Sequence, residues 1–315
     1  MSSDLLNHGD NLGEQRIWYW RGWRIRYTHV VGPGPLTDRQ SQSWTDSIEA
    51  TPFLLLHGAG SSLEQWRENL IELARDRPVY ALDLVGFGGS EKIANPVNTT
   101  LWMQQVADFW QTFLRRPMIL TGHSLGALVA LQIATTYPQR VERLILLTLP
   151  AARQELGGAA SRIGSVVEGW FASPLLIRPL FRLVRQPWLI RFALRAIAQN
   201  PSKVDDSLVK GFIRPTQERG AARTFCYLVR SRTSDDFSPL TKDLISQVQM
   251  PTLLLWGKCD RVIPIDWGRY VDTLNDQLTF VEIEDAGHFF YDELALDFHD
   301  LVDQWLKELT SSAAC

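Results

Sequence analysis

Short, mostly apolar runs recur along this chain, separated by longer segments whose apolar residues fall three and four apart. The runs are Phe53-Leu54-Leu55-Leu56, Val79-Tyr80-Ala81-Leu82, Met118-Ile119-Leu120, Leu144-Ile145-Leu146-Leu147, and residues 252–256 and 278–283. They are too short for helices, and most lack the alternation of a strand with one wet face. All read as strands, and Phe53–Leu56 and the run at 252–256 as strands buried on both sides. Residues 62–75, 101–114, 125–137, 267–274 and 294–309 carry helical periodicity. Such an alternation predicts an α/β architecture, a mostly parallel central sheet with helices on both faces. Ahead of it, residues 17–27 read as a two-stranded start turning at Gly22. Residues 32–50, rich in Pro, Gly, Ser, Thr and Asp, read as a loop.

The alternation breaks after Pro150 and resumes at Thr252. Residues 151–236 hold helical segments and no apolar strand run. They are read as a helical cap inserted between core strands, with residues 1–150 and 237–315 forming the core. A chain of 315 residues, 45% apolar, is long enough for one large domain with such an insertion.

Charge sharpens this picture. Twelve arginines and two lysines stand against seven acids in residues 151–236, while the whole chain carries a formal charge of −3. Arg178, Arg182 and Arg185 are spaced to share a helix face, with large apolar residues around them. One reading is a basic amphipathic lid that admits apolar substrates or touches anionic lipid. Trp170, Phe181, Trp188 and Phe192 are then its candidate substrate contacts. The other reading is ordinary cap helices with arginines in water. Nucleic acid is not an expected partner, because the core is acidic and no recognition motif occurs.

Targeting signals are sparse. The first sixteen residues are polar and acidic, unlike a signal peptide. No apolar run reaches the ~18 residues of a membrane span. A cytoplasmic protein is expected, with peripheral contact to an anionic membrane left open. Cys226, Cys259 and Cys315 are odd in number and widely spaced, which argues against a disulfide framework or a zinc site. Asn98-Thr99-Thr100 matches a glycosylation sequon and is read as chance.

The chemistry concentrates at strand ends. Gly122-His123-Ser124-Leu125-Gly126 follows one predicted strand and opens a helix. A serine on so tight a turn stands clear of the sheet, and β-carbons two residues to either side would collide. The helix N-terminus beyond it favours developing negative charge. Asp260 follows the strand at 252–256, and His288 follows the strand at 278–283. Open α/β sheets place their sites at such carboxyl ends. Asp285, Asp235 and Asp236 are competing acids. His8, His29, His123 and His299 have no comparable context, and His57 is expected to brace its loop.

These residues resemble the α/β-hydrolase superfamily from about residue 17 to 309. The matching stretches are LLLHGAGSS, VYALDLVGFGGSEK, LTGHSLGALVALQIATTYPQRVERLILL, PTLLLWGKCDRVIP and EDAGHFFYDE. With WRGWRIRY near the start, the texture is similar to cyanobacterial and plastid members. That group includes chlorophyll dephytylases and pheophytinases, which hydrolyse the phytyl ester of chlorophyll pigments. Its members often carry GNSLGG where this chain has GHSLGA.

The resemblance implies an α/β-hydrolase fold and a triad in the order Ser124, Asp260, His288. It also implies an oxyanion hole made by the N–H groups of Ala59 and Leu125. Relatives that are dehalogenases or epoxide hydrolases put Asp at the nucleophile position, so Ser124 points to an acyl-enzyme. The expected reaction is two-step hydrolysis of a carboxylic ester of a hydrophobic small molecule, a lipid or phytyl-type ester, with no metal or organic cofactor. Alternatives that use the same triad are C–C bond hydrolysis and acyl transfer. A non-catalytic ligand receptor on a hydrolase fold is the alternative of another class.

Overall fold

The computed structural model describes residues 12–32, 50–155, 179, 181–232 and 234–313. Eight strands form one sheet: β1 (Glu14–Trp20), β2 (Trp23–Val30), β3 (Phe53–Leu56), β4 (Val79–Leu82), β5 (Met118–His123), β6 (Val141–Leu147), β7 (Thr252–Gly257) and β8 (Leu278–Ile283). Their order is β1-β2-β4-β3-β5-β6-β7-β8. β1 and β2 are antiparallel to their neighbours, and β4, β3, β5, β6, β7 and β8 run parallel.

The period of two within the strands sorts the core into two layers. Leu54, Leu56, Leu120, Leu144, Leu146 and Leu254 join one cluster. Phe53, Leu55, Ile119, Ile145, Leu147 and Leu253 join the other. Helices cover both faces. α1 (Leu70–Leu73) and, at the chain's end, α10 (Ala295–Ala313) lie on the second layer, which holds Leu70, Phe298 and Trp305. α2 (Thr99–Phe109) and α3 (Leu125–Thr136) lie on the first, through Trp102, Val106, Ala127 and Val129.

Two predicted helices differ in form. Residues 62–75 do not make one helix but a 3-10 turn, Leu63–Trp66, and then α1. Side chains here bond outward: Gln65 Oε1 accepts the Gly58 N–H at 3.0 Å, and the Leu63 N–H goes to Asp83 Oδ1 at 2.7 Å. Those non-local bonds outweigh helical continuity. α2 is capped by the Asn98 side chain, which accepts the Leu101 N–H at 2.9 Å. Its continuation, Trp110–Leu114, widens into a π turn and stops at Arg115, whose φ is 54°.

Between β6 and β7 the described residues hold helices and no strand: α4 (Pro187–Ile197), α5 (Asp206–Gln217), α6 (Ala221–Arg232) and α7 (Thr241–Ile245). Leu194, Ala198, Val204, Val209 and Ile213 form a small apolar cluster of their own in this segment. α8 (Ile265–Asp272) precedes β8, and α9 (Phe290–Glu293) follows it. No described helix is long and apolar enough to cross a membrane.

The sheet order fixes where chemistry can gather. The chain goes from β3 to β4 on one side and then to β5 on the other. A crevice opens at such a reversal, beyond the carboxyl ends of the strands. The loop after β3 and the turn after β5 border it.

Candidate active site

Ser124 sits between β5 and α3 with φ 51° and ψ −116°. Three backbone bonds hold this strained turn. The Ser124 N–H donates to Leu147 O at 2.9 Å, and Ser124 O accepts from Ala127 and Leu128 at 2.9 and 3.2 Å. The flanking glycines are required by space. A β-carbon at Gly122 would lie 2.3 Å from Gly126 O, and one at Gly126 would lie 2.3 Å from Leu56 O.

Asp260 and His288 come from the turns after β7 and β8 and meet. His288 Nδ1 lies 2.7 Å from Asp260 Oδ2. The other carboxylate oxygen, Oδ1, accepts the N–H groups of Val262 and Ile263 at 2.7 and 3.0 Å. Both oxygens are thus engaged, and the carboxylate cannot turn away from the ring. In the tautomer that directs an Nδ1 proton at Asp260, an imidazole carries a lone pair on Nε2, as a proton acceptor needs. Asp285, the competing acid, is exposed on the turn before the histidine, with φ 49°.

Leu125 is the first residue of α3, so its N–H has no acceptor inside the helix. The Ala59 N–H likewise makes no hydrogen bond among the described residues. His57 braces this loop, as expected. Its Nε2 accepts the Leu84 N–H at 3.1 Å, and its Nδ1 donates to Gly58 O at 2.8 Å. Complete burial lowers its pKa and keeps it neutral, which suits that pair of bonds.

His123 was given no role by the pattern of the sequence, yet it lies within the site. Its Nε2 is 3.1 Å from the backbone oxygen of His288, its ring centroid is 4.6 Å from that of His288, and Tyr291 Oη is 3.5 Å from its Nδ1. Burial, and then the nearby His288, push its pKa well below the ordinary histidine value. A neutral His123 therefore ties the elbow to the backbone of the His288 turn. The segment after His288 is tied as well. Asp292 pairs with Arg67 at 2.9 Å, Arg67 also reaches Asp205 at 2.7 Å, and Glu293 accepts the N–H groups of Gln199 and Asn200.

A cavity of about 240 Å³ touches Ala59 and Gly60 and is walled largely by apolar side chains, including Phe87, Trp102, Phe181, Phe225 and Leu228. Phe181 is therefore placed as a wall of a concave site. Trp188 and Phe192 are not: they are 63% and 67% exposed on α4 and do not line this cavity. Leu194 takes the buried face of that helix and turns the two aromatics outward. Trp170 lies outside the described residues. Among the described residues no cluster of His, Cys, Asp or Glu is arranged to hold a metal ion, and Cys226 and Cys259 are not joined in a disulfide.

Known proteins resemble this chain in sequence and in fold. The chain is 25% identical over 252 residues to a pimeloyl-[acyl-carrier protein] methyl ester esterase of Aliivibrio fischeri, covering 78% of this chain and 89% of that one. It is 24% identical over 329 aligned positions to the chloroplastic pheophytinase of Arabidopsis thaliana, covering 91% of this chain and 68% of the relative. The crystal structure of a meta-cleavage product hydrolase from Pseudomonas fluorescens shares the fold. It superposes with a TM-score of 0.73 at 20% identity, over 93% of this chain and 98% of the other. The profile of the alpha/beta hydrolase family matches residues 53–301. With the sheet order, the elbow after β5 and that match together, the chain belongs to the alpha/beta hydrolase family.

Proposed function

We propose that this chain is a serine hydrolase that cleaves a carboxylic ester of a hydrophobic substrate through an acyl-enzyme. The observation that carries the reading is the 2.7 Å contact between His288 Nδ1 and Asp260 Oδ2, with Ser124 on a strained strand-to-helix turn of the same crevice. In this reading Ser124 Oγ attacks the carbonyl carbon as His288 Nε2 takes its proton. The N–H groups of Ala59 and Leu125 stabilise the oxyanion. His288 then protonates the leaving alcohol, activates a water, and the acid is released. Asp260 holds the imidazole in the required tautomer throughout. None of these steps draws on a metal or an organic cofactor.

Residues 151–236 act in this proposal as a cap over the crevice. Phe181 in the cavity wall supports an apolar substrate, such as a lipid or isoprenoid ester. The relatives include a methyl ester esterase and a pheophytinase, which fits an ester substrate. The exposed Leu183, Val184, Trp188 and Phe192, beside Arg182 and Arg195, support peripheral contact with an anionic membrane. C–C bond hydrolysis is the second reading, favoured by the fold shared with the meta-cleavage product hydrolase.

Two measurements test the proposal. A fluorophosphonate probe should label Ser124 in the native chain and not in Ser124→Ala. A p-nitrophenyl ester series should give kcat/KM values that rise with acyl length. Labelling without turnover of any ester would favour the C–C reading. Absence of labelling would leave a ligand-binding relative without an activated serine.

A further inference from the structure

A second concavity adjoins the apolar cavity and has the opposite character. It is a groove of about 490 Å³ whose walls carry Arg182, Arg185, Arg219 and Arg223. One carboxylate, Glu218, shares it, but that group already faces Lys92 Nζ at 3.2 Å and an Arg24 nitrogen at 3.8 Å. Among the described residues, none of the four arginines takes part in an ion pair. Guanidinium groups gathered where the one carboxylate is already engaged elsewhere repel one another, and an anion placed among them relieves that repulsion. A doubly charged phosphate, offering three oxygens, suits four forked donors better than a single carboxylate does.

The groove and the cavity are not independent. Phe181, Thr216 and Ala221 line both, and the cavity continues to Ala59 and Gly60. A molecule with a charged head and an apolar tail can therefore lie with its head among the arginines and its tail toward the loop after β3. We propose that the groove binds the phosphate headgroup of an amphiphilic ester whose apolar part occupies the adjoining cavity. The fate of the bound molecule rests on the ester-hydrolase reading, whereas its binding does not.

Calorimetry on Ser124→Ala at low salt tests this with three probes: monomeric dioctanoyl phosphatidate, dioctanoylglycerol and inorganic phosphate. Phosphatidate should bind about tenfold or more tightly than either of the others. That advantage should be lost when Arg219→Gln and Arg223→Gln are added, with thermal melting to verify folding and Arg182→Gln as an independent variant. Inorganic phosphate binding as tightly as phosphatidate would overturn the coupling of groove to cavity. Dioctanoylglycerol binding as tightly would overturn the headgroup site, as would an unchanged affinity in both sets of arginine variants. In the native chain, the ratio of kcat/KM for phosphatidate over the glyceride should fall by about tenfold in the double arginine variant. Binding as expected with neither these esters nor the p-nitrophenyl series hydrolysed would sustain the headgroup site and overturn the ester-hydrolase reading.

Discussion

Replacing Ser124 by glycine and, separately, by alanine isolates the strain of the elbow from the chemistry of the hydroxyl. Both variants lack the nucleophile, so neither should turn over an ester. They differ in one β-carbon, held at φ 51° and ψ −116° by the bonds to Leu147, Ala127 and Leu128. A side chain in so sparsely populated a region costs roughly 1–3 kcal/mol. Glycine escapes that cost but loses more backbone freedom on folding, by roughly 0.5–1 kcal/mol. The difference leaves Ser124→Gly more stable than Ser124→Ala by up to about 2.5 kcal/mol, with a midpoint of about 1 kcal/mol. In a chain of this size each kcal/mol moves the melting temperature by roughly 2 °C, so the gap should be about 2 °C and at most about 5 °C. Thermal melts of the two variants side by side measure it. An alanine variant that melts at or above the glycine variant would refute the claim that the turn stores strain at residue 124.

Asp260→Asn should lower kcat by about 10⁴, as loss of the orienting acid does in serine proteases, and Asp285→Asn should have little effect. The reverse ranking in steady-state kinetics would move the acid to the turn before His288. Phe181→Ala should cut kcat/KM for long-chain esters more than for acetate esters, while Trp188→Ala and Phe192→Ala should leave that ratio alone and weaken sedimentation with anionic vesicles at low salt. A chain-length ratio that moved with Trp188 instead of Phe181 would place the apolar subsite elsewhere. Burial keeps the folded pKa of His57 and His123 below 6.5, so the unfolded chain takes up protons that the folded chain refuses. Their contribution to stability is complete above that pH and is lost as the pH falls below it. His123→Asn should therefore flatten the dependence of unfolding free energy on pH between about 5 and 6.5, by up to about one proton's worth of slope. Urea titrations across that range check it, and an unchanged slope would count against a neutral His123.

Much of this protein could be read without its structure, because the relevant information is local. A strand buried on both faces must be apolar throughout, so Phe53–Leu56 and Thr252–Gly257 announce themselves. A serine on a turn too tight for neighbouring β-carbons requires Gly122 and Gly126, and the resulting spacing is visible in the chain. Asp260 and His288 stand out in the chain because each lies in the turn after a strand, Thr252–Gly257 and Leu278–Ile283. What the tertiary structure alone decided depends on groups far apart in sequence. Residues 62–75 have helical periodicity, but the bonds of Gln65 to the loop after β3 and of Leu63 to Asp83 break the helix into two short pieces. His123 matters through the backbone oxygen of a residue 165 positions later. Phe181, Trp188 and Phe192 look alike in the sequence, since each is an aromatic in an arginine-rich helical segment. Packing separates them. Leu194 claims the buried face of α4 and leaves Trp188 and Phe192 to solvent, while Phe181 is closed in against Phe225, with ring centroids 5.4 Å apart. The arginine groove escapes the sequence for the same reason. Arg182 and Arg185 meet Arg219 and Arg223 only when separate stretches of chain fold together, and no periodicity encodes that distance.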